Sequence, residues 1–138
     1  MASFTLTYPY LSIASNDLSS YVREITLDAV IETPDNTASS SGGWKTEVGG
    51  LKGATLQVKF NQDVAAAAID SIMWPLFIAG ASVTFEVRAT GAAVGASNPK
   101  WTGSLVINSW QPVAGSVGDV AEVTGTYMVT STVTRATA

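Results

Sequence analysis

The sequence predicts a mainly β fold, a β-sandwich or partly closed barrel of about 6–8 strands. One flanking α-helix (about 63–75) and a long loop (33–53) complete it. Three observations predict this architecture. Apolar residues recur with period two in several segments, the spacing that lays one face of a strand on a core. A single Ala-rich segment breaks that period in favour of helical spacing. Clusters of Gly, Ser, Pro and Asn punctuate the chain between these segments. The 138 residues suit one domain, 1–138, closing one core, and no internal repeat or linker divides them.

Tyr8–Ala14 reads as a short first strand, and Pro9 confines its start to a sheet edge. Arg23–Glu32 alternates Ile25, Leu27, Ala29 and Ile31 with Glu24, Thr26 and Asp28, so the first set is expected to face inward. Thr33–Gly53 is Ser- and Gly-rich and carries an isolated Trp44. A loop beyond about 12–15 residues in a compact domain is functional or disordered. Ala54–Asn61 turns Ala54, Leu56, Val58 and Phe60 inward, opposite Thr55, Gln57, Lys59 and Asn61.

The period then changes. Val64, Ala68, Ile69, Ile72 and Met73 form one helical stripe within Asp63–Phe77, with Asn61 or Asp63 as N-cap and Pro75 ending or kinking the helix near Trp74. Ser82–Thr90 is again a clean strand, with Val83, Phe85, Val87 and Ala89 inward. After the turn-rich stretch Gly91–Pro99, Trp101–Gln111 carries apolar residues on both faces, as in a strand covered on both sides. Pro112–Gly118 is a second turn-rich connection, and Val120–Thr134 predicts one long strand bent at Gly125.

Composition excludes whole classes of chemistry. With no Cys there is no disulfide framework, thiol nucleophile or zinc ribbon. With no His there is no Ser–His–Asp triad, and the usual general base near neutral pH is missing. Lys and Arg number 7 against 11 Asp and Glu, and no two cations are adjacent, which argues against a nucleic-acid reader that must neutralise phosphates. No basic n-region precedes an apolar stretch at the start, so no secretory signal is expected. The most membrane-like segment, Val64–Val83, holds Asp70 near its middle at a cost of roughly 2.5–3.5 kcal/mol, which its Ala-rich bulk does not offset. No membrane partner is expected, and the chain reads as a soluble intracellular product or part of an assembly.

The remaining motifs favour structure over catalysis. Gly49-Gly50-Leu51-Lys52-Gly53 lacks the spacing of a phosphate-binding loop and leads into a strand, where such a loop opens a helix. Glu24, Asp28, Glu32, Glu86 and Glu122 fall on predicted strands as solvated carboxylates, without the aromatic cleft of a glycosidase. Asp35 and Asn36 lack the further ligands of a calcium loop. No catalytic residue, metal or cofactor is expected. Trp44 either contacts another chain or covers its own core, and the residues alone leave both open. Val- and Thr-rich strands with only four Lys would expose adhesive edges, which a regular assembly would pair.

Several short motifs resemble the major tail (tail tube) proteins of long-tailed bacteriophages, particularly the actinobacterial-phage type. They are Asp17-Leu18-Ser19-Ser20-Tyr21-Val22-Arg23, Gly49-Gly50-Leu51-Lys52, the Ala-rich helix ending Trp74-Pro75-Leu76, Asn98-Pro99-Lys100-Trp101-Thr102-Gly103, and Gly115-Ser116-Val117-Gly118-Asp119. Near the end the sequence departs from that pattern. Tyr127-Met128-Val129-Thr130-Ser131 replaces an aromatic followed by a Gly-containing turn.

The resemblance implies a tail-tube-like sandwich assembled as hexameric rings, stacked into a conduit for DNA ejection in the virion tail after synthesis in the bacterial host cytoplasm. It implies no enzyme activity. It also implies partners among other tail proteins (tape measure, terminator, and baseplate or tip), with DNA passing the lumen without specific binding. The long loop would reach a neighbouring subunit through Trp44, Lys45 and Leu51. The net charge of −4 suits a wall that lets a polyanion slide. The alternatives are a head-decoration or tail-terminator protein, or a carbohydrate-binding sandwich stacking sugars on Trp44 or Trp101.

Overall fold

A computed structural model describes residues 3–138. The described residues form two antiparallel sheets packed face to face, eight strands in all, with one helix on the flank and no closed barrel. Strand β1 (Tyr10–Ile13) pairs with the very short β2 (Asn16–Asp17) through a two-residue turn. Ala14 and Ser15 adopt φ of 53° and 64° in that turn, and the Asn16 side-chain amide donates to the carbonyls of Ile13 and Ala14. The Asp17-Leu18-Ser19 motif then locks the corner. Asp17 accepts from the Ser19 amide, the Ser19 hydroxyl accepts from the Leu11 amide, and Leu18 is fully buried.

The smaller sheet has the order β3-β4-β7, from β3 (Val22–Ile31), β4 (Lys52–Asn61) and β7 (Glu122–Met128). A bulge at Arg23 shifts the β3 register between Val22 and Glu24. The larger sheet has the order β2-β1-β5-β6-β8, adding β5 (Ser82–Arg88), β6 (Lys100–Val106) and β8 (Thr134–Ala136). Leu56, Val58, Phe60, Val123 and Tyr127 from one sheet meet Leu11, Ile13, Phe85, Val87 and Leu105 from the other. Trp110 closes one end of this core. Its ring lies 6.2 Å from that of Phe60, and its indole N–H donates to Asp70 at 2.9 Å.

Several expectations need correction. The helix α1 spans Ile69–Ala79 and not 63–75. Asp63 takes the Ala65 amide in a local turn and Ala67 has φ 61°, so Val64–Ala68 is irregular and Val64 lies exposed. Neither Asn61 nor Asp63 caps the helix, because the N-cap is Ala68 without a side-chain bond. Pro75 sits inside the helix, which continues until Gly80 turns left-handed at φ 62°. Burial of Ile69 and Met73, with Ile72, Leu76 and Phe77 packed beside them, outweighs the proline. An interior proline costs ~3 kcal/mol against a good helix former. Pro75→Ala is therefore expected to raise stability by about 1–3 kcal/mol in a urea titration.

The strand expected over Val120–Thr134 is two strands in different sheets. β7 runs straight through Gly125, and the chain crosses between sheets at Val129–Thr130, where Val129 bridges Leu105 and the Thr130 amide donates to Ser104. β6 ends at Val106, so Ile107 and Trp110 reach the core from irregular backbone. On β3 Val22, Ile25 and Leu27 pack on the core, while Ala29 and Ile31 continue past it and are exposed.

Tyr127 is fully buried, and its hydroxyl has no hydrogen-bond partner among the described residues. Burial pushes its pKa far above the ordinary tyrosine value. Tyr127→Phe should gain about 1 kcal/mol, since it deletes an unsatisfied polar group and keeps the ring. A loss of stability on that substitution would mean that a water serves the hydroxyl.

Candidate functional site

The connection from Glu32 to Leu51 is an ordered arm that prolongs the β3–β4 hairpin. Its two limbs are tied by Glu32 N to Leu51 O (2.8 Å), Val48 N to Pro34 O (3.1 Å) and Asn36 N to Thr46 O (3.1 Å), with a bridge between Asp35 and Glu47. Side chains reinforce the ladder. The Thr37 hydroxyl accepts from the Thr46 amide at 2.8 Å, and the Thr46 hydroxyl donates to Asn36 at 2.8 Å. Asp35 accepts from Thr37, and these bonds hold its carboxyl below the usual aspartate value. A 3₁₀ turn at Ser39–Ser41 and left-handed Gly42 and Gly43 form the tip.

Trp44 is 79% exposed and Leu51 75% exposed, and Val30, Ile31 and Val48 are exposed beside them. The arm thus presents an apolar surface to solvent, and Trp44 does not cover its own core. Lys45 lies 3.7 Å from Glu47 in an exposed pair, which contributes little to holding the arm. At the base, a groove of about 790 Å³ opens between Ala29–Ile31, Lys52–Ala54 and Val129–Val133. Large apolar side chains left this exposed mark a place where something docks.

The second feature is a pair of open strand edges. The Val129 amide donates to the Ala54 carbonyl, which fixes the phase of the β4–β7 ladder. Backbone polar groups alternate along an antiparallel strand. Ala54, Leu56, Val58 and Phe60 therefore bond toward β7, and Thr55, Gln57 and Lys59 toward β3. The bond from Glu32 N to Leu51 O agrees with that phase. It follows that the amides of Ile25, Leu27, Ala29 and Ile31 point away from the sheet along β3. Those of Thr124, Thr126 and Met128 point away along β7. Both are outer strands of the three-stranded sheet. Nothing in the bare sequence signals this phase, because it emerges only from the pairing.

The outer face of the same sheet is polar. It carries Glu24, Thr26 and Asp28 on β3, Thr55, Gln57 and Lys59 on β4, and Glu122, Thr124 and Thr126 on β7, with exposed Val30 and Met128 at its end nearest the arm. Its cations are matched: Lys59 lies 3.6 Å from Glu24 and 3.8 Å from Glu122, and Arg23 pairs with Glu122. Among the described residues no three His, Cys, Asp or Glu side chains converge on a metal-sized site, and no helix is long and apolar enough to cross a membrane. Trp101 stands half-buried with the Arg135 guanidinium 6.0 Å from its ring centre.

No family model and no curated protein matches the chain. Solved structures do match. The fold is similar to that of a chain from the tail of an empty gene transfer agent particle with C6 symmetry, at a TM-score of 0.71 and 19% identity over 92% of each chain. It is similar to a chain from the virion of a native gene transfer agent particle, at a TM-score of 0.70 and 20% identity, covering 91% of this chain and 94% of that one. It is also similar to the SPP1 tail tube, at a TM-score of 0.69 and 11% identity, covering 95% of this chain and 77% of that one. At such identities the likeness establishes the fold.

Proposed function

We propose that this chain is a phage tail tube protein, of the type its sequence motifs resemble in actinobacterial phages, and that it assembles into stacked hexameric rings in the virion tail. The observation that carries this reading is the fold shared with chains from two tails and a virion, one of the tails with C6 symmetry. The open edges supply a physical route to a ring. β3 and β7 both run antiparallel to β4, so they are parallel to each other. In a ring of copies pointing the same way, β3 of one copy lies beside β7 of the next, and their free backbone groups pair as a parallel ladder. Six three-stranded sheets make a barrel of about 18 strands, in the range where barrels leave an aqueous channel.

In that ring the polar outer face becomes the lumen wall. Each cation on it is already neutralised by a carboxylate, so over most of the face DNA meets hydroxyls, amides and spare negative charge. A polyanion slides past such a wall without specific binding. The arm, with Trp44, Lys45 and Leu51, contacts a neighbouring ring. Tape measure, terminator and baseplate or tip proteins complete the tail, whose subunits are made in the bacterial host cytoplasm. The role is structural, with no catalysis.

Negative-stain microscopy of the purified protein at rising concentration tests this reading. Rings or tubes are expected. A protein that stays monomeric at every concentration, with and without a tail initiator complex, would overturn it.

A further inference from the structure

The pole of the three-stranded sheet farthest from the arm is also apolar. Val64, Val113, Val117 and Val120 are exposed there, and Val117 is as open as an isolated residue. The ten residues of β4 separate this pole from the arm's base, a distance of roughly 33 Å. The 112–120 loop is held in place. Gln62 donates to the Pro112 carbonyl at 3.0 Å, the Asp119 amide donates to the Ser116 carbonyl at 3.0 Å, and Gly115 and Gly118 take positive φ. Between this loop and the sheet lies a recess of about 550 Å³, lined by Gly115, Ser116, Asp119, Val120, Arg23, Glu122 and Thr124.

We infer that this recess receives Trp44 from the arm of the copy stacked above. The inference rests on the stacked-ring reading and adds the acceptor to it. Folding of the monomer does not explain the valines, since each leaves its side chain in water. They lie at the opposite end of the sheet that carries the exposed arm, so repetition along the strand direction brings the two surfaces together. Such a head-to-tail contact is heterologous, and copies related by translation repeat it without closure. The chemistry matches as well. An indole seated in the recess packs against Val120, with the Arg23–Glu122 ion pair presenting its cation beside the ring face.

The chain has no Cys, so introduced thiols report without background. In the double variant Lys45→Cys with Ser116→Cys, a short bis-maleimide is expected to convert assembled tubes into a ladder of covalent multimers. Each single variant should remain monomeric on a denaturing gel. Val120→Asp places a carboxylate in the recess wall and should reduce tubes to single rings, because ring closure uses the β3 and β7 edges and not this pole. Tubes that assemble yet yield no ladder, or Val120→Asp rings that stack like the parent, overturn the acceptor and leave the ring reading standing. Absence of rings and tubes in the parent protein overturns both.

Discussion

Gly125→Ala is expected to destabilise the fold by about 3 kcal/mol, at the upper end of the usual cost of overpacking a core. Gly125 faces inward opposite Val58, and the side chain of Tyr127 folds back across it. A Cβ at Gly125 would fall 2.3 Å from the Tyr127 hydroxyl oxygen and 2.4 Å from the ring carbon that bears it. Either Tyr127 must leave its site or β7 must bend away from β4. Tyr127 is fully buried against both sheets, so swinging it out opens a cavity and moves an aromatic ring into water. Three kcal/mol is a large share of the about 5–15 kcal/mol that separates folded from unfolded states. The double variant Gly125→Ala with Tyr127→Leu removes the clash and should recover more than half of the loss. Urea titrations of the parent, both singles and the double complete a mutant cycle with a strong coupling between neighbours. A Gly125→Ala protein within about 0.5 kcal/mol of the parent would show that Tyr127 has another rotamer available.

The strands with one pure apolar face were legible in the sequence, and the reason is visible in β4. Leu56, Val58 and Phe60 alternate without exception because one side of the strand meets the core and the other meets water. β3 follows the same period but leaves the core halfway. Period two therefore located the strand and its inward side correctly while overstating the burial of Ala29 and Ile31. The helix was misplaced because an Ala run satisfies helical spacing wherever it lies. What fixes α1 is the docking of Ile69 and Met73, a tertiary fact. An isolated Gly in a strand suggests a bend, yet at Gly125 the missing Cβ makes room for Tyr127. The candidate contact residues Trp44, Lys45 and Leu51 stand out in the sequence by their place in a long loop. Their exposure is consistent with a contact role, but the loop proved to be a bonded hairpin. The open edges were inferred only as a hazard of composition. Which amides are free depends on ladder phase, which no single strand encodes.

That phase yields the second large effect, on assembly and not on folding. Ala29→Pro is expected to give a folded protein that no longer forms rings. Proline removes an amide hydrogen and is tolerated on an outer strand only where that hydrogen faces away from the sheet. The Ala29 amide points outward along the free edge of β3, and its side chain is small and exposed. The monomer loses no ladder bond, while the neighbouring copy's β7 loses a donor in the middle of the shared ladder. Thr126→Pro should act in the same way from the partner edge, since the Thr126 amide points out of β7. Asp28→Pro is the control. Its amide bonds toward Thr55 of β4, so the same residue type one position earlier should destabilise the monomer itself by about 3 kcal/mol or more. Thermal melts separate the two classes, and sedimentation with negative-stain imaging reads the assembly. If Ala29→Pro and Thr126→Pro melt near the parent and still form rings, ring closure does not use these edges, and copies must meet through the apolar arm and its opposite pole alone.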